Sequence, residues 1–129
     1  MIAVDTSALM ALVRGEAKAD ACIRALESEP ELLISAATVA EALIVAARRN
    51  VRAEMASLID GLGLEVVAVT PAFARGVADS YARWGKGMHR AGLNFGDCFS
   101  YLLARERDCP LLFVGDDFSR TDLKRALRP

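Results

Sequence analysis

Short apolar runs alternate with helical stretches along the whole chain, and this alternation restricts the fold more than any other feature. IAV (2–4) reads as a short buried strand, LLIS (32–35) and PLLFV (110–114) as strands, and LEVVAV (64–69), rich in valine, as the clearest strand. DTSAL opens a helix that Asp5, Thr6 or Ser7 can cap and that Gly15 ends. Residues 16–29 read as a second helix, stopped by Pro30. Residues 36–50 and 54–62 are two more, the latter ended by Gly61 and Gly63. Thr70-Pro71 is a cap followed by proline at the first helical position, so a helix runs from there to about Trp84. GKGMHRAGLNFG (85–96) reads as a loop with four glycines, residues 97–107 as a helix, and GDDFSRTDL as a turn with a short helix. Strands alternating with helices imply βαβ units. The expected fold is therefore α/β, with a mainly parallel sheet of about four or five strands covered on both faces. No linker, repeat or low-complexity segment divides the 129 residues, so a single domain over 1–129 is expected.

On this map the acids fall at chosen places. Asp5 follows the first strand, Glu41 sits early in the helix after the second, Asp97 opens a helix behind the glycine-rich loop, and Asp116 and Asp117 follow the last strand. In parallel α/β sheets, sites form in the crevice at the carboxyl ends of the strands. Glu41 stands in AATVAEALIVAA, and no basic residue lies one helical turn away on either side. A lone ionised carboxylate on so apolar a face needs a partner or a cation. Acids that converge repel one another unless a cation lies between them, and hard divalent ions such as Mg2+ or Mn2+ prefer carboxylate and water ligands. Such an ion serves phosphodiester cleavage. Each acid also has a plainer use: Asp5 and Asp97 suit helix caps, and Asp116 and Asp117 suit a turn.

Composition narrows the chemistry. The net charge of −1 is not that of a strongly basic nucleic-acid binder, so a nucleic-acid substrate would need cations from elsewhere. Cys22, Cys98 and Cys109 are odd in number and form no CxxC pair. They indicate neither a disulfide framework nor a zinc site, and fit buried thiols in a reducing, cytoplasmic setting. No stretch has the length of a membrane span, and the N-terminus lacks the basic region of a signal peptide. There is no GxGxxG or P-loop motif, and no histidine or lysine arranged with Thr6 or Ser7 for nucleophilic catalysis. Arg83, Lys86, His89 and Arg90 gather around the glycine-rich loop, either as a solvated rim or as a phosphate-contacting one. Trp84 and Tyr81 read as packing or interface residues.

Four segments together resemble a known family. IAVDTSAL, TVAEAL, KGMHRAGLNFGDCFSYLLA and LLFVGDDFSRTDL, in that order, resemble the PIN-domain ribonucleases and, within them, the VapC toxins of type II toxin–antitoxin pairs. The resemblance covers almost the whole chain. It implies a PIN-like fold and a metal-dependent endoribonuclease in which Asp5, Glu41 and Asp97 hold Mg2+ or Mn2+. It places a fourth acid at Asp116 or Asp117, and Thr6 and Ser7 in support. It implies cleavage of tRNA or ribosomal RNA, a homodimer, and a VapB-type antitoxin whose C-terminal segment lies across the groove with an arginine near the acids. Arg83, Lys86 and Arg90 would then contact the RNA backbone. Two other classes are a non-catalytic PIN-like protein-binding module and a metal-dependent phosphatase. The first would leave the filled acid positions without a purpose. The second usually needs an aspartate where Ser7 stands.

Overall fold

The computed structural model describes residues 1–128. Its elements in chain order are β1 (Ile2–Val4), α1 (Thr6–Arg14), α2 (Ala19–Glu27), β2 (Leu32–Ser35), α3 (Ala36–Arg48), α4 (Arg52–Gly61), β3 (Glu65–Val67), α5 (Pro71–Trp84), α6 (Phe95–Glu106) and β4 (Leu111–Leu112). The four strands form one sheet in the order β3-β2-β1-β4, and every neighbouring pair is parallel. Ala3 sits at the centre of the register, opposite Leu33 on one side and Leu111 on the other.

The period-2 alternation of the strands splits the core. Ile2, Val4, Ile34 and Leu112 face one side, where they pack with Ala8, Leu9, Ala42 and Met55 of α1, α3 and α4. Ala3, Leu33 and Leu111 face the other, against Phe73 and Val77 of α5 and Phe99 and Leu103 of α6. Central strands covered on both faces need apolar side chains on both, which is why IAV and LLIS carry continuous apolar runs. The three thiols are free and buried in this core.

Several boundaries differ from those expected. α2 begins at Ala19, because Gly15 in a left-handed conformation (φ 61°) is followed by a turn closed by the Ala19 amide on the Glu16 carbonyl. The valine-rich run forms a strand only over Glu65–Val67, at the sheet edge, with Val66 52% exposed. Its β-branched residues suit a pleated edge without being core. α6 begins at Phe95 rather than Asp97, because Asn94 is the cap and Asp97 its reciprocal partner three residues on. β4 is shorter than PLLFV, and the segment after it holds turns in place of a short helix. The C-terminal segment instead runs beside β4: the Leu111 amide donates to the Lys124 carbonyl, and the Ala126 amide to that of Leu111.

Candidate active site

Parallel pairing puts the carboxyl ends of β1, β2 and β4 at one edge, and the start of α6 lies there too. Asp5 caps α1: its Oδ2 accepts from the Ser7 amide at 3.1 Å and the Ser7 hydroxyl at 2.6 Å. Its Oδ1 accepts from the Ser100 hydroxyl of α6 at 2.6 Å. An ionised carboxylate offers about four acceptor positions, so Asp5 keeps one on Oδ1. The Ser7 hydroxyl also accepts from the Val114 amide at 3.0 Å, fastening the end of β4 to Asp5. Ser100 lies 3.4 Å from the Thr38 hydroxyl of α3.

Glu41 reaches from α3 to α1, where the Thr6 hydroxyl donates to Oε1 at 2.6 Å. Its Oε2 lies against Gly96, so close that a Cβ at position 96 would stand 2.7 Å from Glu41 Cδ. Glu41 is therefore beside the backbone that precedes Asp97. Burial raises its pKa above the usual carboxylate range, the Thr6 bond opposes this, and the Asp5 charge adds to it.

Asp97 is held by α6's first turn. Its Oδ2 accepts from the Asn94 amide at 3.0 Å, and its own amide donates to Asn94 Oδ1 at 2.8 Å. Among the described residues, nothing donates to its Oδ1. Burial pushes the Asp97 pKa up to about 7; the Asn94 bond lowers it, and the charges of Asp5, Asp117 and Glu41 raise it further. Asp97 therefore feels Asp117 across the site. Asp116 turns elsewhere, into a cleft with Lys18 and Arg125. The two neighbouring acids of GDDF thus face different surroundings.

The loop cations are spread out. Arg83 lies 4.6 Å over the Trp84 ring and 3.9 Å from Asp122. Lys86 borders an apolar groove with Phe95 and Tyr81, and Arg90 is exposed. His89 Nδ1 accepts from the Ala91 amide, and its ring meets Trp84 edge-on. Trp84 itself is buried and donates to the Tyr101 hydroxyl at 2.8 Å.

Four residues at this site escape a reading of single acids. Ser100, Thr38, Asn94 and Gly96 each touch an acid or its holder. The signal was spacing: Ser100 follows Asp97 by three and Thr38 precedes Glu41 by three, which puts each pair on one helix face.

Among the described residues, no ion pair neutralises Asp5, Glu41, Asp97 or Asp117. Nor do three acidic, histidine or cysteine side chains form a finished metal cage. The donors are nonetheless all oxygen, three of them feel one another's charge, and Asp5 Oδ1, Glu41 Oε2 and the free Asp97 oxygen keep acceptor capacity. That donor set fits a hard divalent ion holding part of its water shell, not a soft metal.

Fold and site together define a class, the small α/β domains that gather acids at the carboxyl edge of a parallel sheet. The chain belongs to the PIN-domain family, whose sequence model matches residues 2–124. It is 43% identical over 128 residues to "Ribonuclease VapC42" of Mycobacterium tuberculosis, covering 95% of this chain and 97% of that protein. The crystal structure of Mycobacterium tuberculosis VapC20, described as a sarcin-ricin loop cleaving toxin, superposes with a TM-score of 0.80 at 22% identity over 100% of both chains. A toxin–antitoxin complex from Klebsiella pneumoniae superposes with a TM-score of 0.71 at 17% identity, over 95% of this chain and 93% of that one. At these identities the two structures speak for the fold. Among the described residues, no helix is long and apolar enough to cross a membrane.

Proposed function

We propose that this chain is a divalent-metal-dependent endoribonuclease, the toxin of a VapBC-type pair. One observation carries the reading. Acids from separate elements lie close enough to feel one another's charge at the carboxyl edge of the sheet, and among the described residues no cation of the protein pairs with them. The ribonuclease names of close relatives supply the reaction and favour it over a non-catalytic module. When bound, Mg2+ or Mn2+ supplies Lewis-acid polarisation of the phosphodiester and a more acidic water. Asp5 and Asp97 would hold the ion, and Asp117, whose charge reaches Asp97, rather than Asp116, would be the fourth acid of the set.

Glu41 Oε2 either joins these ligands or orients the attacking water and takes its proton. A carboxylate with a raised pKa is a better base for that transfer. Ser7 and Ser100 fix Asp5, and Thr6 fixes Glu41. The proposed substrate is tRNA or ribosomal RNA.

Two protein partners are part of the proposal. The antitoxin segment lies in the groove of about 470 Å³ that Glu41, Ile44, Phe95 and Phe99 border, where an arginine would offset the acids. Exposed Ile23 on α2, away from that groove's lining, suits the surface of a homodimer.

The test is cleavage of mixed RNA by the purified chain with Mg2+. Cutting is expected to stop when EDTA removes the ion and to return with excess Mg2+ or Mn2+. Cutting that persists unchanged in EDTA would sink the metal site.

A further inference from the structure

We propose that the cleft between the end of β4 and the C-terminal segment holds backbone phosphates of the RNA strand beside the bond that is cut. Lys18, Arg125 and Arg128 line this cleft of about 320 Å³ together with Phe113, Leu127 and Asp116. The inference rests on the ribonuclease reading and adds the residues that position the polymer.

Charge is the first ground. Three cations share the cleft with one carboxylate, and among the described residues none of the three forms an ion pair. Arg83 and Arg105 pair with Asp122, Arg107 with Glu65 and Lys124 with Asp108, while cations such as Arg49 and Arg75 are unpaired among the described residues but line no cleft with two others; what sets Lys18, Arg125 and Arg128 apart is that they share one concave site. In a chain of net charge −1, unpaired cations gathered in one place can attract a polyanion that the chain as a whole does not.

Preorganisation is the second. The backbone on both sides of Arg125 is hydrogen-bonded to Leu111 of β4. Its guanidinium then lies 5.3 Å from the centre of the Phe113 ring. A cation held in this way loses little freedom on meeting a phosphate.

Position is the third. Val114 lines the cleft, and its amide donates to the Ser7 hydroxyl that holds Asp5. Asp116 faces the cleft, while the charge of Asp117 reaches Asp97. One turn therefore has the cations on one side and the acids on the other. A strand whose scissile phosphate meets the acids carries its next phosphates toward the cleft, where positive charge offsets the repulsion of the acid cluster.

The experiment measures binding of a fluorescent, mixed-sequence, single-stranded RNA in Mg2+ across a range of salt. The protein carries Asp97→Asn to silence cleavage. Replacing Lys18, Arg125 and Arg128 by Gln is expected to flatten the slope of log affinity against log salt by about 2 and to weaken binding about a hundredfold near 0.1 M salt. Replacing Arg49, Arg52 and Arg75, exposed on other faces, by Gln removes the same formal charge and is expected to change the slope by less than half as much. The Lys18→Gln/Arg128→Gln pair leaves Arg125 packed on Phe113 and is expected to give an intermediate loss with an unchanged melting temperature. With Asp97 intact, the cleft triple is expected to raise KM and leave kcat at saturating RNA.

Equal losses from the two triples, or none from the cleft triple, would overturn the cleft while leaving the nuclease reading in place. Failure of the parent protein to bind RNA at all would overturn both.

Discussion

Asp97→Asn is expected to abolish RNA cleavage and, in metal-free protein, to raise stability above pH 7. The activity loss follows from removing a ligand charge. An ion of this kind contributes several kcal/mol to the transition state, so a fall of about a thousandfold is expected. The stability gain follows from the same carboxyl. Its pKa rises on folding from 3.8 to about 7, through burial first and the charges of Asp5, Asp117 and Glu41 after it. A group whose folded pKa is raised contributes its stability fully below the unfolded pKa and loses it as pH climbs through the folded one. The metal-free wild type is therefore expected to weaken between about pH 4 and pH 7, with a ceiling near 4 kcal/mol from about 1.4 kcal/mol per pKa unit. Water at the open side of the site reduces this to about 1–2 kcal/mol.

Asparagine removes the charge and keeps the oxygen that accepts from the Asn94 amide, so the start of α6 stays capped. Melting curves are expected to coincide near pH 4. At pH 8 the variant is expected to melt about 5 °C higher. Mg2+ is then expected to raise the melting temperature of wild type and leave the variant unmoved. Variant and wild-type curves that coincide at pH 8 would mean that Asp97 does not bear the strain of the cluster.

This link between instability and function shows what the sequence could and could not disclose. Asp5, Glu41 and Asp97 stood out as candidates because each breaks a local rule: an acid at a strand tip, an acid in an apolar helix, an acid behind a glycine-rich loop. The parallel sheet was legible because strands covered on both faces must be apolar throughout. What stayed hidden depends on three-dimensional aim. GDDF offers two adjacent acids of the same type, and only the path of the chain past Val114 turns Asp117 toward Asp97 and Asp116 toward Arg125. The valine-rich run forms a shorter strand than its composition suggests, and at the edge, for a related reason: β-branched residues favour an extended backbone but do not say how far a neighbour pairs with it or what covers it. Arg125 looked like one more basic residue near the end of the sequence. Its place on Phe113 comes from pairing with β4, which no local pattern announces.

Gly96→Ala is the sharpest test of Glu41, because it changes the site without touching an acid. Gly96 lies in the first turn of α6, and a methyl there enters the space of the Glu41 carboxylate, 2.7 Å from Cδ. The obstructing atoms end a side chain, so the fold can yield by swinging the carboxylate away. That swing breaks the Thr6 bond that now fixes Oε1 and carries Oε2 off the line to Asp5 and Asp97. A displacement of about 1 Å at a reacting group can cost about a hundredfold in rate, and that loss is expected in kcat, with KM for RNA little changed. Stability is expected to hold or rise, because alanine favours a helix over glycine by up to about 1 kcal/mol, offsetting the lost hydroxyl contact. The two measurements separate the explanations. Low activity with a wild-type melting temperature means that the Glu41 carboxylate works from the place where Gly96 leaves room for it. Full activity would show that cleavage does not depend on where that carboxylate stands, and would remove Glu41 from the machinery while leaving Asp5 and Asp97 in it.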